Sequence, residues 1–151
     1  MTRPANETAA TTRQPAAFAI KVALADPDAA GHEFAAQKTM YGGKRIAPGD
    51  TIFLFASETA GGTGLVARGV VSAVRHLPRI PTLARQTPRL DLAIRRVAGV
   101  RAPLGRRDLK PFSDWGDGRP ETELNFKLYR QATDKVIGLT DAAAQFLARR
   151  F

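Results

Sequence analysis

The sequence predicts an α+β fold: a small mixed β-barrel of five to six short strands, with flanking short helices and a C-terminal helix. Three observations carry that prediction. Short runs rich in β-branched and aromatic residues recur between Gly/Pro turn signals. One of them, Leu65 to Val74, holds Gly69 inside it, as a bulge or bend in a small barrel requires. No βαβ rhythm of the kind that builds a parallel sheet appears.

Phe18-Ala19-Ile20-Lys21-Val22-Ala23-Leu24 reads as a first strand that stops at Asp26-Pro27. Asp28 to Lys38 is predicted to be a short helix, with Ala29, Ala30, Phe34 and Ala35 apolar and Gly31 weakening it. Tyr41 to Pro48 is a basic connection. Pro48-Gly49-Asp50 is a turn signal, since Pro presets φ and Gly supplies φ > 0. Thr51 to Ala56 is apolar on both faces, as a central strand is, and should form a hairpin with Leu65 to Val74. Arg79 to Pro88 is a Pro-punctuated basic loop. Leu90, Leu92 and Ile94 then mark one face of a half-buried strand.

Pro103 to Lys110 is expected to form one helical turn, and Pro111 to Pro120 a loop centred on Trp115. Leu124, Phe126 and Leu128 alternate with Asn125, Lys127 and Tyr129, the period of a strand. Val136 to Leu139 is a last short strand. Thr140 caps a closing helix whose apolar face is Leu139, Ala143, Phe146 and Leu147, with Arg149 and Arg150 at its C-terminal end. Met1 to Pro15 reads as a disordered tail, leaving residues 16–151 as the domain.

The 151 residues suffice for one buried core. The absence of cysteine excludes disulfides and the commonest structural zinc sites. His32 and His76 read as surface histidines, and neither a metal nor a cofactor is expected. No stretch approaches the roughly 20 apolar residues of a membrane helix, and the N-terminus lacks a signal peptide's apolar region. A cytoplasmic location without membrane contact is expected. Lys and Arg number 23 against 14 acidic residues, a formal charge of +9. That balance favours polyanionic partners, although a high-GC genome also enriches Arg.

Catalytic and nucleotide motifs fail on context. Gly62-Thr63-Gly64-Leu65-Val66-Ala67 fits a dinucleotide fingerprint, but strand-forming valines follow it where a helix should start. In Asp114-Trp115-Gly116-Asp117-Gly118 glycines occupy the alternate positions where calcium ligands would stand, so a turn is expected. Glu121 and Glu123 read as solvated. Trp115 is either a hydrophobic lid on the barrel or a platform on which a base stacks.

Four segments in order resemble the EVE domains of the PUA-like superfamily, related to YTH and ASCH domains. They are Phe18-Ala19-Ile20-Lys21, Pro48-Gly49-Asp50 through Ser57, Leu90 to Lys110, and Leu128-Tyr129-Arg130-Gln131 with Val136 to Thr140 and the closing helix. The resemblance implies a pseudo-barrel whose pocket accepts a modified nucleobase, with Lys21, Ser57, Arg130 and Gln131 near it. It also implies that Arg130-Gln131 ends a strand. Lys21 and Arg130 suit phosphate, and Ser57 and Gln131 suit a base edge. Phe18 stands where the family usually has tryptophan and Ala23 where it tends to have Glu. The aromatic candidates are therefore Phe18, Tyr41, Phe55 and Trp115.

The favoured function is a non-catalytic nucleic-acid-binding module for DNA or RNA, with Lys44, Arg45, Arg68, Lys127 and Arg130 neutralising phosphate. Two alternatives stay open. An ASCH-type enzyme would use a Gly-x-Lys-x-x-Glu-x-Arg signature; Gly42-Gly43-Lys44-Arg45-Ile46-Ala47-Pro48-Gly49 lacks its acid and arginine. The other is a protein-interaction domain with a vestigial pocket.

Overall fold

Among the described residues six strands close into a barrel in the order β1-β3-β4-β5-β2-β6. They are β1 (Ala17–Val22), β2 (Gly31–Met40), β3 (Thr51–Ala56), β4 (Gly64–His76), β5 (Arg89–Gly99) and β6 (Val136–Gly138). This computed structural model describes residues 16–151; the expected N-terminal tail lies outside them. β1 runs parallel to β3, β6 runs parallel to β2, and the remaining pairs are antiparallel. Consequently β1, β3 and β5 begin, and β2, β4 and β6 finish, at the same end of the barrel.

Two apolar layers explain why β3 is apolar on both faces. Ile52 and Leu54 join Phe18, Ile20, Val71, Leu90, Leu92 and Ile94 inside the barrel. Phe53 and Phe55 point outward into a second layer with Leu104, Leu109, Leu124, Leu128, Ala143 and Leu147. That outer layer comes from α1 (Arg106–Leu109), α2 (Pro120–Leu124), α3 (Asp141–Ala148), the loop residue Leu104 and Leu128 of the turn that follows α2. Each of these large side chains contributes roughly 1.5–3 kcal/mol by leaving water.

The Gly49-Asp50 turn joins three strands. Gly49 sits at φ 95°, and the Asp50 amide donates to the Ala47 carbonyl (3.1 Å). The buried Asp50 carboxylate accepts from the Ala16 and Ala47 amides (3.0 and 2.9 Å), and its carbonyl accepts from the Val71 amide (2.9 Å). Asp50 thereby fixes the starts of β1 and β3 against the middle of β4. Gly69 is required by proximity: a Cβ there would lie 2.5 Å from Ile94 Cγ2, and the β4–β5 register shifts at this residue.

Two predicted elements take the other form. Asp28 to Lys38 is not a helix; Gly31–Met40 is strand β2. A bulge between Phe34 and Gln37, with Ala36 at φ 51° and its amide donating to Asp91 Oδ1 (2.8 Å), breaks the alternation that marks a strand. Nor is Leu124 to Tyr129 a strand. α2 passes directly into a π-helical turn, Asn125–Gln131, so Arg130-Gln131 ends a helix rather than a strand. Leu124 and Leu128, four residues apart, face the core, and Phe126 between them faces out. Their alternation is a by-product of that wide turn. Other predicted elements match: Arg106–Leu109 is a single turn, and Thr140 Oγ1 accepts from the Ala143 amide (3.2 Å) to cap α3. Among the described residues no helix is long and apolar enough to cross a membrane.

Candidate nucleic-acid interface

At the end of the barrel where β2 finishes, the chain turns sharply. Tyr41 lies at φ 53° and Gly42 at φ 80°, and Gly43 packs so close to the Val136 carbonyl that a Cβ would sit 2.0 Å from its oxygen. The turn aims the Tyr41 ring at Lys127 of the π-helical segment, whose ammonium is 4.9 Å from the ring centroid. The Tyr41 hydroxyl donates to Gln131 Oε1. Lys127 is buried and donates to Glu123 Oε2 (3.0 Å) and the Gly138 carbonyl (2.8 Å). Glu123 also accepts from the Thr140 amide (2.9 Å) and its hydroxyl. It is therefore an interior anchor between α2 and α3, not the solvated acid expected.

Two clefts flank this Tyr41–Lys127 pair. One, of about 490 Å³, is lined by Tyr41, Trp115, Arg119, Thr122, Lys127 and neighbouring residues. The other, of about 430 Å³, is lined by Tyr41, Gly42, Arg45, Lys127 and Thr140 among others. Both fall within the range of roughly 300–1,000 Å³ usual for small-molecule sites.

Trp115 is not a lid: it is 54% exposed. Its ring packs against Phe126 (centroids 4.9 Å apart, planes at 57°), and the Arg130 guanidinium covers the Phe126 ring at 4.7 Å. The loop that presents it is a set of turns, as expected of Asp114 to Gly118. Asp114 Oδ1 accepts from the Gly116 amide (3.1 Å), and Asp117 accepts from the Arg119 amide (2.9 Å) and the Thr122 hydroxyl (2.9 Å). Arg119 lies over Phe112 at 5.1 Å. An exposed aromatic ring is thus supported by Phe126 and shares its cleft with Arg119, while Arg130 covers the supporting Phe126 ring.

Lys21 and Ser57 lie at the opposite end of the barrel. Lys21 is buried with its ammonium 4.8 Å from the Tyr129 ring, and Ser57 Oγ is 2.9 Å from Thr59 Oγ1. The Tyr129 hydroxyl donates to the Glu58 carboxylate (3.0 Å to each oxygen), which also accepts from the Arg106 amide (2.7 Å). Burial, followed by the Glu58 charge and this hydrogen bond, pushes the Tyr129 phenol well above its usual range.

The structure therefore gathers Tyr41, Trp115 and Lys127 at one cleft, with Arg45 in its neighbour and Gln131 bonded to Tyr41. Lys21, Ser57, Lys44 and Arg130 line neither cleft. Lys44 is exposed on a short 3₁₀ turn, Gly43–Arg45, and Arg68 lies over the Phe151 ring at 5.7 Å. Of the other aromatic candidates, Phe18 and Phe55 are core residues. Sequence reading missed Asp117, Arg119, Thr122 and Phe126. Arg119 has one sequence signal, its place between the Trp115 turn and the Pro120 helix start.

Sequence comparison gives no match to a family model or to a curated protein. Structural comparison does. Human THYN1 protein in complex with 5-methylcytosine-containing DNA aligns with 90% of this chain and 98% of its own, at TM-score 0.60 and 11% identity. A hypothetical protein from Leishmania major aligns with 90% and 94% at TM-score 0.61 and 12% identity. The DUF55 domain of human thymocyte nuclear protein 1 aligns with 88% and 97% at TM-score 0.60 and 12% identity. The chain thus shares the fold of these proteins, a small mixed β-barrel with short flanking helices.

Proposed function

We propose that this chain is a nucleic-acid-binding module that stacks a nucleobase on Trp115 and seats it in the cleft beside Tyr41. The observation that carries this reading is the exposed Trp115 ring in that cleft, backed by Phe126, with Arg119 in the same cleft and Arg130 over Phe126. An apolar ring left in water but held from behind by Phe126 is arranged for a flat partner. Every base offers such a face. Asp117 and Thr122 supply hydrogen-bonding groups for a base edge, and exposed Lys44, Arg119 and Arg130 supply phosphate contacts. Lys127, already holding Glu123 and Gly138, acts by positioning the Tyr41 ring. The THYN1 complex with 5-methylcytosine-containing DNA supports the choice of a modified base as cargo.

Trp115 is the single tryptophan, so its fluorescence reports on this site alone. Titration with single-stranded DNA, with and without 5-methylcytosine, should quench it saturably. Affinity should fall with a log–log salt slope of roughly −0.7 per phosphate contacted. Trp115→Ala should weaken binding by roughly 1–3 kcal/mol, followed by anisotropy of a labelled strand. Binding that is undetectable, or indifferent to both salt and Trp115, would overturn the reading.

A further inference from the structure

The β4–β5 hairpin reaches beyond the end of β3. β3 pairs with β4 only as far as Val70, and the Gly49-Asp50 turn holds Val71. From Ala73 to His76 the pairing partner of β4 is β5, which β2 supports from its other side. The arm ends in the loop 77–88, which is exposed over nearly its whole length.

That loop is ordered by its own side chains. Gln86 spans it: Oε1 accepts from the Ile80 amide (2.8 Å), and Nε2 donates to the Ile80 and Leu83 carbonyls (2.7 and 2.8 Å). Arg79 donates to the Ala84 carbonyl (2.7 Å), and the Ile80 carbonyl accepts from the Leu83 amide (3.1 Å). Pro78, Pro81 and Pro88 restrict it further. A stapled loop should turn its apolar side chains inward, yet Ile80 is 36% and Leu83 48% exposed. Between residues 75 and 89 the chain carries four arginines, one histidine and no carboxylate. Asp91 balances Arg75 across the strands at 2.7 Å, leaving the positive charge concentrated toward the tip.

The arm also rises on the cleft side of the molecule. Its root is tied by the Thr39 hydroxyl to the Pro88 carbonyl (3.0 Å), and Thr39 is two residues before Tyr41.

We propose that the tip of the β4–β5 arm is a second nucleic-acid contact that enters the minor groove of a duplex, with Ile80, Pro81 and Leu83 against sugars and bases and Arg79 and Arg85 toward the flanking phosphates. The proposal rests on the nucleic-acid reading of the cleft and extends it from a single base to the adjoining duplex. Its ingredients are those a groove wedge needs: an apolar tip, no acidic residue and rigidity before binding. Apolar wedges inserted beside basic residues unstack and bend a duplex, whereas a purely basic loop contacts only the backbone.

The test compares the full chain with the double variant Leu83→Ser/Arg85→Gln, whose two changed side chains are exposed. Anisotropy is read with a labelled duplex and with its separated strand. Duplex affinity should fall about tenfold with a shallower salt slope, while single-strand affinity and Trp115 quenching stay unchanged. Unchanged duplex binding in the variant would overturn the arm and leave the cleft standing. Equal losses on duplex and single strand would overturn it as well. Self-association of the wild type that the variant abolishes would assign the tip to a second copy of the chain instead. Failure of the wild type to bind either form would remove both readings together.

Discussion

Glu123 and Lys127 form an ion pair of 3.0 Å one helical turn apart, with their side chains only 13% and 10% exposed. The pair does more than join neighbours in a helix. Glu123 holds the cap of α3 through Thr140, and Lys127 holds β6 through Gly138 and faces Tyr41. Replacing the acid by its amide leaves the buried ammonium without a counter-charge and turns one of the two oxygens that hold Lys127 and the start of α3 into a donor. Glu123→Gln should therefore destabilise the fold by roughly 3 kcal/mol, as breaking a buried pair does. Urea denaturation checks this; a change below about 1 kcal/mol, the usual worth of a surface pair, would refute it.

Tyr129 gives a pH signature at the other end of the barrel. Its phenol is raised by burial and by Glu58, so the native state keeps the proton where an unfolded chain releases it. The contribution is fully present below the unfolded value near 10 and is lost as pH rises above it. In Tyr41→Phe, where Tyr129 is the one remaining tyrosine, phenolate absorbance should appear only together with loss of the native circular dichroism signal. Ionisation near pH 10 in a folded protein would contradict this.

Gly69→Ala tests the close approach of β4 and β5. The added methyl would sit 2.5 Å from Ile94 Cγ2 and 2.9 Å from the Arg95 carbonyl oxygen, one of them rigid backbone. The expected cost is about 1–3 kcal/mol, as for other overpacked interiors. A thermal melt of the variant unchanged from wild type would show that the arm relaxes freely at this point.

The elements that were legible in the sequence are those whose pattern a local rule decides. β3 could be read because helices cover its outer face, making both sides apolar, and α3 because Thr140 is a strong cap. β2 was not legible, since the Ala36 bulge breaks its period and its outer side chains meet solvent. The π-helical segment was misread because Leu124, Phe126 and Leu128 alternate for two unrelated reasons, core packing and support of Trp115. Tyr41, Trp115 and Lys127 were each recognisable as suitable residue types. Their meeting at one cleft depends on the Tyr41-Gly42 turn and the π-helical turn, neither of which has a local signature. Arg119 and Phe126 went unnoticed for the same reason.

The barrel closes through β6, a strand of three residues that joins β1 to β2. As the chain is synthesised, β6 is the last of the six strands to emerge. Until then the hydrogen-bonding edges of β1 and β2 lack the neighbour they acquire in the finished barrel, and such edges invite pairing with other chains. The β3–β4 and β4–β5 hairpins form from neighbours in sequence, so they can be in place early, whereas closure waits for a distant segment. Substitutions in Val136-Ile137-Gly138 should therefore act on yield and aggregation during expression more than their small buried area suggests.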